Sequence, residues 1–236
     1  MNSHITQQKA AAAKYAAAYV QSGMVVGLGT GSTATLFLQR LAERLLLGEL
    51  EDVVGIATST EIEQEARRLD VSLTTLEDHP IIDLTVDGAD EVDPQLNLIK
   101  GGGGALLREK IVAQASKREI IIVDKSKLSP LLGTKWHVPV EVVTFGWRTQ
   151  FDFLTTLGAQ VELRETKEGL PFLTDQGNYI LDARFGPIEH PAQLAQKLAE
   201  RTGIVEHGLF IGLASEVIVG EDSEIRVLQP PSRERQ

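Results

Sequence analysis

The chain has 236 residues, of which 42% are hydrophobic and 24% charged, with a net charge of −10 and no cysteine. That length suits one large domain or a medium and a small one, with enough apolar material for a sizeable core. The acidic balance excludes a protein that coats nucleic acid or an anionic membrane, and the missing cysteines exclude disulfides, thiol nucleophiles and cysteine–metal sites.

The opening MNSHITQQKAAAAKYAAAYV lacks the basic region, apolar run and cleavage site of a secretory leader, and is not rich in Arg and Ser like a transit peptide. It reads instead as an alanine-rich helix over residues 3–21, with Gly23 beyond its end. MVVGLG (24–29) is a short buried strand, and STATLFLQRLAERLLL (32–47) has the helical spacing of Leu36, Leu38, Leu41 and Leu45. VVGIAT (53–58), IIDLTVD (81–87) and EIIIVD (119–124) read as strands; TEIEQEARRL (60–69) and ALLREKIVAQASK (105–117) read as helices. No apolar run reaches the ~18 residues of a membrane span.

Strands alternating with helices predict an α/β fold with a mostly parallel sheet covered by helices on both faces. The pattern changes near Ser129–Trp136. Residues 138–144 are strand-like, 147–157 helical, and VELRE, PFLTD and NYILDAR read as strands, the last two flanking a turn at Gln176-Gly177. A helix follows over 191–203, with Pro191 near its start and Gly203 at its end, then a strand over IVEHGLF (204–210). These elements predict a smaller α+β domain of split β-α-β type over about 133–210. The main domain then comprises 1–132 plus about 211–236, with ASEVIVGEDSEIRVL (214–228) returning to it. The closing QPPSRERQ is expected to lack regular structure.

Three loops carry chemistry. GLGTGST (27–33) joins a strand to a helix, where glycines let the backbone approach a ligand and the helix start offers N–H groups to an anion. It lacks the lysine of a Walker A loop and the third glycine spacing of a dinucleotide fingerprint, and Thr58-Ser59-Thr60 stands where that fingerprint wants an acid. What remains is a hydroxyl-rich cradle for one phosphate; the plainer alternative is a tight turn with Ser/Thr capping. DGADEVD (87–93) follows a strand, where α/β sheets place ligands, and Asp87 and Asp90 are the candidates to hold hydroxyls or move protons. Glu91 and Asp93 read as a solvated acidic turn with capping. The spacing is not that of a calcium loop, and no histidine cluster assists, so no metal site is assigned.

KGGGGALLREK (100–110) places Lys100 and bare glycine amides where a developing oxyanion could be stabilised; a flexible linker is the alternative. Glu109, in the following helix, has Ala105, Leu106, Val112 and Ala113 at helical spacing. Partial desolvation there would raise its pKa toward the range of a general base, while the helix start and Lys100 would lower it. Arg108 has a similarly apolar set of neighbours, so spacing leaves a surface glutamate open. Lys127 in DKSK (124–127) and Lys9 in the first helix could reach a phosphate or be solvated. The five histidines show no triad or metal spacing, and Trp136 and Trp147 read as core or interface residues.

Taken together and in this order, GLGTGST, DGADEVD, KGGGGALLREK and DKSK resemble the ribose-5-phosphate isomerase A family, over nearly the whole chain including GLF (208–210). The resemblance puts the family's phosphate loop on Thr30, Gly31, Ser32 and Thr33. Its acidic loop falls on Asp87, Gly88, Ala89 and Asp90, and its lysine–glycine loop on Lys100, Gly101, Gly102 and Gly103. The catalytic base matches Glu109, a substrate-contacting lysine Lys127, and a further lysine near the phosphate Lys9. Two departures are Gly104, where many members carry alanine, and TSTE (58–61), shorter than the serine-rich loop of some members.

The resemblance implies interconversion of ribose 5-phosphate and ribulose 5-phosphate through an enediolate, with Glu109, Asp87, Asp90 and Lys100 catalytic. It implies a sugar phosphate substrate, no metal or organic cofactor, no nucleic acid or membrane partner, a cytoplasmic location, and a homodimer with a tetramer as the alternative. The competing readings are a phosphosugar sensor, a Mg²⁺-dependent phosphatase built on residues 87–93, and an isomerase of another aldose phosphate.

Overall fold

The computed structural model describes residues 3–221 and 224–231. The chain divides into two compact units. The first comprises Met1–Ala89, Glu109–Lys127 and Gly212–Gln236, and the second comprises Asp90–Arg108 and Leu128–Ile211. Most of the C-terminal tail, 232–236, lies outside the described residues. No described helix is long and apolar enough to cross a membrane.

The first unit is built on a six-stranded sheet. Its strands are β1 (Val25–Leu28), β2 (Val54–Ala57), β3 (Leu84–Asp87), β6 (Glu119–Asp124), β12 (Glu216–Gly220) and β13 (Ile225–Leu228), in the order β13-β12-β6-β3-β1-β2. All neighbours are parallel except the β12–β13 hairpin. Side chains alternate across the pleat, so Val26 and Leu28 face one side and Val25 the other. On the first side they join a core with Ala12, Ala13 and Ala16 of α1 (Ser3–Ala17) and Phe37, Leu38 and Leu41 of α2 (Ser32–Leu46). On the second, Val25 packs with Ile56, Ile82 and Val112, the last from α4 (Leu106–Gln114). The glycine at 27 permits this approach, since a Cβ there would lie 2.8 Å from Val112 Cγ1 and closer still to Thr85. Every residue of β6 is buried, which is why EIIIVD reads as an unbroken apolar run. Its three isoleucines each contribute about 1.5–3 kcal/mol by leaving water.

The second unit runs β7 (Val138–Val142), α5 (Trp147–Thr156), β8 (Gln160–Leu163), β9 (Tyr179–Arg184), α6 (Pro191–Ala199) and β10 (Ile204–His207), an antiparallel sheet of order β10-β7-β9-β8. This is the expected split β-α-β arrangement. Val138, Val140, Leu181, Ala183, Leu154 and Leu198 form its core, and Trp136 and Trp147 pack half-buried against it. A small second sheet joins β4 (Glu91–Val92), β5 (Leu98–Ile99) and β11 (Leu209–Phe210) in the order β11-β5-β4.

Three expectations are corrected. The first helix ends at Ala17, and residues 18–20 continue as tight turns. PFLTD is not a strand: only Pro171 forms an isolated bridge, to Glu165, and Leu170 and Leu173 are exposed. Pro171 has no N–H to extend a ladder, and the Thr174 hydroxyl turns inward to Glu141. IVEHGLF is two strands in two sheets, split at Gly208. A Cβ at Gly208 would sit 2.3 Å from the Lys100 carbonyl oxygen, so only glycine fits where the chain changes sheet.

Candidate active site

In the first unit the loops that matter leave the C-terminal ends of β1, β2, β3 and β6. From β1 the chain goes to β2 on one side and later to β3 on the other. Connections therefore diverge between β1 and β3, and such a switch point is where open α/β sheets bind ligands. Thr30 follows β1 and Asp87 ends β3. The Thr30 and Gly88 amides both donate to Asp87 Oδ1, at 3.0 and 2.7 Å. Asp87 is fully buried.

The start of α2 is the anion cradle. Its N-cap, Gly31, has φ +103° and no side chain, so no side-chain oxygen caps the first-turn N–H groups. Thr30 Oγ1 lies 2.7 Å from Thr58 Oγ1 and donates to Ser59 Oγ at 2.9 Å. Ser59 in turn caps α3 (Thr60–Arg68) by accepting from the Ile62 amide at 3.2 Å. Thr58 and Ser59 thus tie the end of β2 to this turn, a role that composition does not single out. Lys9 Nζ donates to Ser32 Oγ at 2.9 Å, bringing an ammonium to the cradle from α1. Thr33 is buried, while Gly31 and Ser32 are exposed. Lys127 closes a single 3₁₀ turn, Lys125–Lys127, directly after β6, and is half-buried. Gly88 and Ala89 are half-buried in the loop beyond β3.

Glu109 lies on the first turn of α4 and is only 5% exposed. A surface glutamate is excluded. Its neighbour Arg108 takes the outward role, with an ion pair to Asp175 at 3.5 Å.

In the second unit Asp90, Lys100 and the glycine run are assembled. Asp90 N donates to Ile99 O at 2.8 Å, and Asp90 Oδ2 accepts from Gly102 N at 2.8 Å. A Cβ at Gly102 would stand 2.7 Å from Asp90 Oδ1, so a side chain there would displace the carboxylate from this bond. Lys100 is 2% exposed, with its ammonium 5.5 Å from the centre of the Phe210 ring. Gly101 and Gly104 have φ of +96° and +87°, and a Cβ at Gly104 would meet the Phe172 ring at 2.6 Å. The run is therefore a shaped turn and not a linker. Gly103 is exposed.

The solvated acidic turn expected at Glu91 and Asp93 is overturned. Glu91 is fully buried and accepts from the amides of Gly133, Lys135 and Trp136 at 2.9, 3.0 and 3.1 Å. Asp93 is buried too, and caps the amides of Gln95 and Asn97, both at 2.8 Å. Both carboxylates hold the loops of this unit in shape. Sequence reading also passes over Arg164, whose guanidinium donates to Gly101 O at 2.9 Å and Gly102 O at 3.2 Å. Asp182 binds the same guanidinium. Burial pushes the Asp182 carboxyl up, but hydrogen bonds from His137 and Arg164 hold it below the ordinary carboxylate range. Among the described residues no group of three or more His, Asp or Glu is placed to hold a metal ion.

The sequence matches the family described as ribose 5-phosphate isomerase A (phosphoriboisomerase A) over residues 54–224. The chain belongs to the ribose-5-phosphate isomerase A family. The member from Chloroflexus aurantiacus is 57% identical over 220 residues, 93% of this chain and 92% of that protein. The member from Roseiflexus castenholzii is 48% identical over 236 residues, 100% of both. Among solved structures, ribose 5-phosphate isomerase from Plasmodium falciparum superposes with a TM-score of 0.90 at 43% identity, covering 94% of this chain and 97% of that one. A D-ribose-5-phosphate isomerase in complex with phospho-erythronic acid superposes with a TM-score of 0.93 at 40% identity, covering 97% and 100%. The family identity and the α/β fold with its smaller antiparallel domain agree with the sequence reading.

Proposed function

We propose that Glu109 carries a proton between C2 and C1 in the interconversion of D-ribose 5-phosphate and D-ribulose 5-phosphate, the reaction of the family to which the chain belongs. The observation that carries this reading is the burial of Glu109 in the first turn of α4. Burying an acid costs stability, and a base removing a proton from carbon needs a desolvated, fixed position.

A proton beside a carbonyl leaves only if the new oxygen charge is neutralised as it forms. Lys100 and the glycine run carry that charge. Within Gly101–Gly103, the Gly102 amide is already engaged by Asp90, and Gly103 is exposed. Asp87 and Asp90 hold the sugar hydroxyls, and one of them assists ring opening. Thr30, Gly31, Ser32 and Thr33 anchor the phosphate, with Lys9 beside them and Lys127 as a further contact. Gly88 and Ala89 line the sugar. Binding energy from the phosphate, which does not react, aligns the carbons that do. The phospho-erythronic acid bound in a solved relative supports a phosphorylated sugar-derived ligand here. The chemistry calls for no metal or organic cofactor. The protein acts in the cytoplasm as a homodimer, with a tetramer the alternative, on a small sugar phosphate and without nucleic acid or membrane partners.

Incubation of purified, chelator-treated protein with ribose 5-phosphate in deuterated water tests this reading. Ketose carrying solvent deuterium at C1 is expected. Absence of ketose would overturn it in favour of a phosphosugar sensor, and turnover abolished by the chelator would favour a metal enzyme.

A further inference from the structure

We infer that Arg164, held by Asp182, is a positioning residue that sets the direction of the glycine-run amides; this rests on the isomerase reading above. Arg164 directly follows β8, and Asp182 lies on β9. Arg164 Nε donates to Asp182 Oδ2 at 2.9 Å and Nη2 to Asp182 Oδ1 at 2.5 Å, a two-point fork that fixes the plane of the guanidinium. His137 Nε2 approaches the same oxygen, Asp182 Oδ1, at 3.1 Å and gives the carboxylate a further partner. The remaining nitrogen, Nη1, donates to the carbonyls of Gly101 and Gly102. The side chains of Arg164 and Asp182 are only 13% and 17% exposed, so water competes weakly for the bonds to Asp182 and to the Gly101 carbonyl, while the bond to the Gly102 carbonyl is open to solvent.

The consequence follows from the peptide group itself. No described peptide bond is cis, so a carbonyl and the N–H of the same unit point in opposite directions. Drawing the Gly101 carbonyl to Arg164 therefore sends the Gly102 N–H the other way, where it meets Asp90. Drawing the Gly102 carbonyl to Arg164 sends the N–H of Gly103, an exposed residue, away from the guanidinium in the same manner. Glycines have the widest choice of backbone angles and would otherwise sample many orientations. The Gly104 amide also donates to the Gly101 carbonyl, at 3.0 Å, so the guanidinium shares the first peptide plane with the turn's own bond and adds the second, and its own orientation is selected by Asp182. Lysine cannot reproduce this, because an ammonium is a point charge without a planar fork.

The test compares Arg164→Met, Arg164→Lys and Asp182→Asn with the unaltered protein in ribose 5-phosphate turnover, melting temperature and amide hydrogen exchange. Arg164→Met is expected to lower kcat by about 10- to 100-fold, as misplacement of a stabilising group does. KM should move less than about threefold, because the phosphate turn is untouched. Arg164→Lys should not restore kcat, Asp182→Asn should fall between, and exchange should quicken at Gly102–Gly104 ahead of β7 and β9. A folded Arg164→Met or Arg164→Lys variant with kcat within twofold of the unaltered protein overturns the inference. So does a loss of kcat matched by faster exchange throughout β7–β9, which marks general damage. An unaltered protein that makes no ketose defeats the isomerase reading itself, a result distinct from fully active variants.

Discussion

The carboxylate of Asp87 occupies the space that a side chain on Gly29 would need. A Cβ at residue 29 would lie 2.2 Å from Asp87 Oδ1, 2.4 Å from its Cγ and 2.5 Å from its Cα. The last of these is backbone, so no rotation of the acid relieves the clash. The same carboxylate receives the Thr30 amide. A glycine and a threonine just beyond β1 and an acid at the end of the neighbouring β3 are therefore one construction, and the phosphate turn inherits its shape from Asp87.

Gly29→Ala is accordingly expected to separate β1 from β3 at their C-terminal ends. Over-packing of this kind costs about 1–3 kcal/mol, and kcat/KM should fall by about 100-fold, the scale set by misplacement of reacting groups. Thermal melting and steady-state kinetics check both. A variant with unaltered melting and activity would mean that the two strands do not approach as described.

Lys9 reaches the cradle through Ser32. Lys9→Met retains the apolar stem and removes the charge. Inhibition by inorganic phosphate should weaken by about tenfold, equivalent to about 1.4 kcal/mol. The deficit should shrink as salt rises, because a half-exposed charge is screened. Melting temperature should change little. Equal inhibition of both proteins at low salt would remove Lys9 from the phosphate site.

Glu141 gives a pH test away from the proposed chemistry. It is fully buried on β7, and Oε1 accepts from Thr174 Oγ1 and Asn178 Nδ2 at 2.8 and 2.9 Å. Burial pushes its carboxyl above the ordinary range against these two hydrogen bonds, and the charges of Glu206 and Asp175 add to the rise. The folded chain thus holds this proton more tightly than the unfolded chain does. Stability from this group is fully present below the unfolded glutamate value of ~4.3 and is lost as pH rises through the raised folded value. Glu141→Gln resembles the protonated acid at every pH. The melting temperature of the variant relative to the unaltered protein should therefore climb as pH rises above the unfolded glutamate value. A difference that stays flat there would contradict the burial of this charge.

Much of this fold is legible in the residues because the period and the burial agree. EIIIVD is a strand over the same six positions, Glu119–Asp124, and the leucines of 32–47 sit on a helix that starts at Ser32. The glycines at 29, 101 and 102 are legible as close approaches, though not what approaches them. Strands of two residues, such as Glu91–Val92 and Leu98–Ile99, are too short to show any period. Glu91 reads as solvated because its three amide donors come from residues 133–136, more than forty positions away. Arg164 is invisible for the same reason: its carbonyl partners are over sixty residues distant in the chain, and nothing local marks it. Helical spacing alone does not distinguish Arg108 from Glu109, and tertiary packing decides which of the two is buried.

The role of Glu109 is tested most directly by the turnover number of Glu109→Gln with ribose 5-phosphate. Glutamine preserves size and one acceptor oxygen but cannot accept the proton from carbon. The account predicts a kcat lower by about 10²- to 10⁴-fold with KM little changed. A variant that turns over at close to the rate of the unaltered protein would contradict it.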